Sequence, residues 1–578
     1  MRYVDELTEA LRAQLAAVRG LPDQLGYGLR QRLREGYGTA DLRADLLAGV
    51  VVGVVALPLS MALAVAAGVP PQHGLYAAVV AGLIAALLGG TRVQVTGPTA
   101  TFVVILLPIA HAHGLAGVLL TGLLAGAILV VMGLAHVGRL MTFIPHPVTT
   151  GFTSGVALLI ALLQLGDVLG LRLPSTEGIG RYLLAVWEAR AQVNPADVAV
   201  AALTVGALVL VPRWLRAVPA PLVALLGAAV LAALATRFVD GVTVTTLGDR
   251  FSLPQTPPLP QAPWAAAGPP GGGGFVLDWD VLQALLGPAF AVAMLGAIET
   301  LTSATIADGV QGTRHDPDAE LVALGLANVV APWFGGIAAS GALARTATNL
   351  RAGARSPLAA AFHAVFVLAC ILALAPLVEY LPMAALAGLL IVVAYQMAEP
   401  RHVVRLLRIA PRSDVMVLLT CLSLTVLFDM ALAVSVGVVL AALLFMRRMA
   451  VLTKVSVVAD PSENYEVPGG VKVYEIAGPL FFGAAKTAMD ALATGASYGT
   501  VILSMRHVPV MDATGLVALE SLLDRLRRTR RKVIIAALQP EPAEMLARAG
   551  IRRTPGELAF APDVDTALSM AIVHAARG

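Results

Sequence analysis

From residue 46 to residue 449 the chain alternates long apolar runs with short polar, glycine- or proline-bearing connections. Leu46–Ala67, Gly74–Leu88, Gly114–Ala135 and Ala431–Met446 approach or exceed the length that spans a hydrocarbon core. The pattern predicts fourteen spans: 46–66, 73–91, 98–110, 115–136, 147–168, 196–212, 220–237, 280–308, 317–333, 342–354, 356–377, 379–397, 413–430 and 431–449. The third and tenth are too short to cross as helices alone. They cross only if the extended residues before them supply the remaining depth, and such backbone is tolerated only where protein or water covers it.

Those two spans open on similar breaks. Val93–Thr101 reads VQVTGPTAT and Ile337–Arg345 reads IAASGALAR, each after a Gly-Gly pair, Gly89-Gly90 and Gly335-Gly336. They lie seven spans apart, an odd offset, so equivalent elements run in opposite directions through the bilayer. This is an inverted seven-plus-seven repeat, with halves at 46–237 and 280–449. Interrupted segments at matching places in two halves mark a substrate site near the membrane midplane. A helix N-terminus offers unpaired N–H donors and the positive end of its dipole, which suits an anion. The candidate binding residues are therefore Thr96, Gly97, Pro98, Thr99 and Ala100 with Ser340, Gly341, Ala342, Leu343, Ala344 and Arg345. Pro98 suits a first helical turn, where its missing N–H goes unneeded.

Arg345 falls in the first turn of the tenth span, where a cation is disfavoured. A buried membrane arginine also costs about 2.5–3.5 kcal/mol on insertion scales. Either it binds the substrate, or it shapes the field while paired elsewhere. Glu299 is an intramembrane carboxylate with Ser303 one turn on, on the same helix face. It is a candidate proton acceptor, a ligand for Na+, or a counterion for Arg345. Thr346, Asn349, Gln164, His363, Asp414 and Asp429 fit caps or packing better than binding. No spacing of histidines or of the two cysteines, Cys370 and Cys421, suggests a metal site or a disulfide.

The chain is 58% hydrophobic and 13% charged, with mean hydropathy +0.80. This identifies a polytopic membrane protein, and the net charge of +3 implies no nucleic-acid partner. Residues 1–45 form a mixed-charge N-terminal segment without a signal-peptide pattern. Arginines cluster at the N-terminus and in the even-numbered connections, as at Arg92, Arg139, Arg314 and Arg355, while the connections at 67–72 and 111–114 have none. Both termini are thus expected on the cytoplasmic side. Residues 253–274 read as a flexible external linker. Beyond the transporter domain at 46–450, residues 465–578 alternate strand-like and helix-like stretches, including a helix at 483–493. That is a small α/β domain. No phosphate-cradling motif or catalytic triad is present, so neither a cofactor nor an enzymatic activity is expected.

Asp45–Ala64 (DLLAGVVVGVVALPLSMALA), Gly74–Ala78, Val95–Thr99 (VTGPT) and the arginine-bearing tenth span resemble the sulfate permease (SulP) family with its C-terminal STAS domain. That resemblance covers nearly the whole chain. It implies an anion transporter divided into a substrate-carrying core and a gate, commonly homodimeric. Leu57–Ala64, Ala344–Gly353 and Leu424–Met430 look more narrowly like the bacterial C4-dicarboxylate branch. Many family members have Gln where Leu59 stands and an aromatic where Leu63 stands, which moves weight from sulfate or bicarbonate towards dicarboxylates. The resemblance thus implies proton-coupled, elevator-type uptake of succinate, fumarate or aspartate across a bacterial inner membrane. The alternatives are a bicarbonate, sulfate or chloride transporter coupled to Na+ or H+, an anion channel, and a sensor without transport. In soluble STAS relatives a residue at the Thr514 position is phosphorylated; here Thr514 fits a helix N-cap.

Overall fold

Glycine and proline decide where the apolar runs stop being one helix. In the computed structural model α1 (Tyr27–Arg34) precedes α2 (Thr39–Ala66), which ends before Gly68 at φ 77°. α3 (Gln72–Leu88) stops at Gly89, and the chain continues extended into β1 (Thr96–Gly97). α4 (Ala100–Leu134) is broken at Gly114, whose φ of 68° and ψ of −164° no L side chain adopts readily. A Cβ there would run into the backbone of Gly268. Then follow α5 (His146–Leu163), α6 (Ile179–Glu188), α7 (Pro195–Trp214) and α8 (Ala220–Phe238). The second half holds α9 (Trp279–Gln311), α10 (Pro317–Val330), β2 (Ser340–Gly341), α11 (Leu343–Arg351) and α12 (Leu358–Val378). α13 (Met383–Ala398), α14 (Pro400–Ile409) and α15 (Arg412–Leu427) complete it. Asp278 caps α9, and Asp316 caps α10 ahead of Pro317.

The structure describes residues 25–141, 145–173, 178–214, 219–240, 242–269 and 275–428, then 436–437, 439–440, 442–444 and 446. Towards the C-terminus it describes 454–457, 467, 469–480 and 499–575. Asp429, most of the expected fourteenth span, the expected helix at 483–493 and part of the linker lie outside these residues. Among them, eight helices are long and apolar enough to cross a membrane. The expected second, ninth, tenth and thirteenth spans are shorter helices, and the third and fourth are one element hinged at Gly114. The connection between the expected fifth and sixth spans contains α6.

The chain divides into two compact units, Met1–Val438 and Val439–Gly578. Within the first, α2, α3, α4, α9, α10, α11 and α12 pack as one bundle, and α5, α7, α8, α13 and α15 as another. Small residues allow the helices to touch backbone to backbone. A Cβ at Gly126 of α4 would come 2.6 Å from Val329 N, and one at Gly325 of α10 would come 2.6 Å from Val130 N. Gly74 of α3 sits directly on the Ser60 carbonyl of α2. The buried Asp45 carboxylate of α2 takes the backbone N–H groups of Arg355 and Ser356 at 2.6 and 3.1 Å, and the Tyr37 hydroxyl at 2.9 Å.

The second unit is a five-stranded sheet ordered β3 (Lys454–Val457), β4 (Val471–Ala477), β5 (Thr500–His507), β6 (Lys532–Ala536) and β7 (Leu558–Ala561). β3 pairs antiparallel with β4, and the remaining neighbours are parallel. Strand periodicity divides its side chains between two apolar clusters. Leu503, Met505, Val533 and Ile535 join leucines of α16 (Ala513–Arg528) and α17 (Pro540–Arg548). Ile502 and Ile534 join Ala567, Leu568 and Ala571 of α18 (Val564–Ala575). Helices on both faces explain why β5 is buried on both sides from Thr500 to Met505 and β6 from Val533 to Ala536.

Candidate functional site

The two breaks meet. β1 and β2 pair antiparallel, Thr96 opposite Gly341 and Gly97 opposite Ser340. The Ala342 N–H extends the pairing to the Val95 carbonyl at 3.0 Å. Further along, Val95 N donates to Thr346 Oγ1 at 3.1 Å and Asn349 Nδ2 donates to the Val93 carbonyl at 2.8 Å. Residues 342, 346 and 349 share one helical face, so α11 satisfies the extended backbone of 93–95 without water. Extended chain at membrane depth needs such partners.

Beyond the crossing, each strand enters a helix. Thr99 (φ −123°, ψ 153°) is the N-cap residue of α4, and Ala342 (φ −88°, ψ 112°) that of α11; neither helix has a side-chain cap. Pro98 is therefore not in the first turn of α4 but two residues before it. Its carbonyl accepts from Arg345 Nη2. The guanidinium lies against Gly97, where a Cβ would run into Nη1 and come 3.1 Å from Cζ. Arg345 is 1% exposed, and its Nε and Nη1 have no hydrogen-bond partner among the described residues.

On the same crossing, the Ser340 hydroxyl donates to Glu299 Oε2 at 2.7 Å and lies 3.1 Å from the Thr99 hydroxyl. No hydrogen bond joins Glu299 to Arg345 among the described residues. A guanidinium, a carboxylate and two helix N-termini thus converge on four residues of paired strand. Thr300 Oγ1 accepts the Gly341 N–H at 2.8 Å, and the Ser303 hydroxyl, one turn from Glu299, is buried with no hydrogen-bond partner among the described residues.

The sulfate permease family profile matches residues 42–421, and the STAS domain profile matches 463–567. The chain belongs to the sulfate permease family. It is 36% identical to the putative sulfate transporter YvdB of Bacillus subtilis over 86% of this chain and 91% of that one. It is 28% identical to the bicarbonate transporter BicA of Synechocystis over 86% of this chain and 89% of that one. The inward-facing structure of the murine anion transporter Slc26a9 superposes with a TM-score of 0.82 at 20% identity, covering 96% of this chain and 95% of that one. The chain is thus an integral membrane anion transporter with a C-terminal STAS domain.

Not every residue singled out in this permease's sequence comes to the crossing. Leu343 and Ala344 lie in the first turn of α11 and are exposed, whereas Arg345 next to them is buried. Thr514 is exposed and is not the cap of α16. Asp512 is, its carboxylate accepting the Gly515 N–H at 2.8 Å. An aspartate one residue before the helix competes better for that N–H than a threonine already inside it. Thr300, Gln94 and Glu320 make contacts at or behind the crossing that pattern reading missed. Each is a single polar residue whose only signal was its place beside Glu299, inside the first break, or four residues after a capping aspartate.

Proposed function

We propose that this permease carries a small inorganic oxyanion, bicarbonate foremost and sulfate next, held where the two breaks cross. One observation carries the reading. A buried guanidinium, tied through one nitrogen to the Pro98 carbonyl, keeps Nε and Nη1 without partners among the described residues beside two helix N-termini. Oxyanion oxygens accept from such donors in charge-assisted hydrogen bonds, and the peptide dipoles add positive potential. A cation costly to bury alone then finds its partner in the substrate. The relatives support the same class, one being named for sulfate and another for bicarbonate.

Glu299 takes the coupled ion, a proton or Na+, with the Ser303 hydroxyl, which has no hydrogen-bond partner among the described residues, as the second ligand in the Na+ case. Glu299 and Arg345 attract each other electrostatically but share no hydrogen bond among the described residues, so each keeps hydrogen-bonding capacity for its own ion. Both breaks belong to one bundle and are hydrogen-bonded together, which supports an elevator-type slide of that bundle against the other. The working unit is a homodimer in a bacterial inner membrane with both termini cytoplasmic. Uptake of C4-dicarboxylates takes second place. It rests on the resemblance of Leu57–Ala64, Ala344–Gly353 and Leu424–Met430, and within the first stretch Leu63 is buried in the main apolar cluster with Leu59 packed against it, which weakens them as reporters of substrate.

The test is uptake of radiolabelled bicarbonate and sulfate by the purified permease in liposomes, under an imposed proton or Na+ gradient. Gradient-driven accumulation of either oxyanion is expected. Accumulation of succinate with neither oxyanion, or ungated conductive flux, would overturn the reading.

A further inference from the structure

We infer that α10 is the splint that fixes the geometry of the anion site, with Glu320 and Asn328 as positioning residues for the first and second break. Glu320 is 2% exposed and faces the Gly-Gly turn ahead of β1. Its Oε2 accepts the Gly90 N–H at 2.7 Å, the Thr91 N–H at 3.0 Å and the Thr91 hydroxyl at 3.2 Å, and its Oε1 accepts Gln94 Nε2 at 3.0 Å. The other side of that turn is held by α1 and the residue before it: Gly26 N donates to the Leu88 carbonyl at 2.7 Å and Gly28 N to the Gly89 carbonyl at 3.1 Å. The Gln94 amide in turn lies flat on Gly341 of β2, where a Cβ would come 2.7 Å from Cδ. Glu320 is thereby linked through one side chain to both strands.

Asn328 does the same for the second break in the manner of a peptide group. Its Nδ2 donates to the Ala339 carbonyl at 2.8 Å and its Oδ1 accepts the Ala339 N–H at 2.8 Å. The two residues sit two helical turns apart, about 12 Å along the axis. The Gly126–Gly325 contact packs the same helix against the part of α4 that follows its break at Gly114. One element therefore holds both the Gly90–Gln94 approach and the Ala339 approach. Without it, two-residue strands have too few bonds to hold a crossing. Glu320 acts as a multiple acceptor and touches no group at the crossing that would carry an ion.

The inference rests on the crossing being the anion site, and two readouts separate the claims. One is the KM and maximal rate of bicarbonate and sulfate uptake in liposomes. The other is deuterium exchange of peptides covering 88–97 and 337–345 in the full chain, which needs no substrate. Glu320→Ala is expected to raise KM by about tenfold or more with the rate changed less, and to speed exchange in both peptides. Glu320→Gln is expected to restore KM to within about threefold. Its Oε1 replaces the acceptor for Gly90 and Thr91, and its Nε2 donates to Oε1 of a turned-over Gln94 amide, an oxygen that has no partner among the described residues. Asn328→Ala should speed exchange in both peptides, and Gln94→Ala, the milder variant should Glu320→Ala not fold, should do so in 337–345. Glu320→Gln as impaired as Glu320→Ala would overturn the assignment, because the charge itself would then be in use. Exchange in 337–345 unmoved by Glu320→Ala and Gln94→Ala would overturn it as well. Failure of wild-type oxyanion uptake would refute the proposed substrate, while the exchange comparison would still decide the role of α10.

Discussion

Gly97→Ala probes the site without touching a charged group. Gly97 does not have a positive φ, so alanine is admissible for the backbone. The added methyl would overlap Arg345 Nη1 and lie 3.1 Å from Cζ and 3.3 Å from Nη2. The strand pair and the Pro98 carbonyl hold the opposing backbone, so the guanidinium must retreat by about 1 Å to reach ordinary contact distance. Crowding of this kind costs about 1–3 kcal/mol. A charge-assisted hydrogen bond stretched that far is largely lost, at about 1.5–3 kcal/mol. At 1.4 kcal/mol per decade, substrate affinity should fall about 10- to 100-fold. The assay is oxyanion uptake at graded concentration for wild type, Gly97→Ala, Arg345→Lys and the double variant. Lysine has no Cζ or Nη atoms, so the methyl finds room in the double variant. The two substitutions should therefore be non-additive by about 1 kcal/mol or more. Additive effects on KM would mean that the guanidinium does not rest on Gly97, and the site as described would be wrong.

Thr300→Val removes the acceptor of the Gly341 N–H and should lower thermal stability in detergent by about 1–3 kcal/mol, while Thr300→Ser should restore it. Gly515→Ala places a methyl against the Leu480 carbonyl and 2.9 Å from Met511 Cγ; the STAS domain should lose about 1–3 kcal/mol, seen as faster deuterium exchange across 500–507. Tyr37 is held by burial, and next by its bond to Asp45, at a pKa pushed up to about 12 from 10.0. Because the folded value is the raised one, its contribution is intact below pH about 10 and disappears as pH rises through about 12. Ultraviolet titration should show one late-ionising tyrosine fewer in Tyr37→Phe than in the wild type.

The paired breaks were legible because their signal is compositional: a Gly-Gly pair, an extended stretch, then Thr-Gly or Ser-Gly before an apolar run. That β1 and β2 would pair was not, since two residues are too few for any strand periodicity to appear. Arg345 and Glu299 stood out as charges in apolar surroundings, and both lie at the crossing. Glu320 and Thr300 did not stand out. A carboxylate in the second turn of a helix after Asp316 looks like ordinary N-terminal charge, and a threonine beside a glutamate looks like filler. Their importance comes from bonds to residues distant in the chain, which no local pattern encodes. Leu59 and Leu63 report on substrate only weakly, because Leu63 is buried in the main apolar cluster and Leu59 packs against it.

The strand crossing also has a consequence for how the polypeptide is made. Thr99 and Ser340 are 241 residues apart, so at synthesis rates of roughly 5–20 residues per second the first break waits on the order of 12–50 s for its partner. During that interval its main-chain groups are unpaired and incompatible with lipid. The nascent third segment must therefore stay in the hydrated insertion machinery until the latter half emerges, and the latter half serves as its intramolecular chaperone.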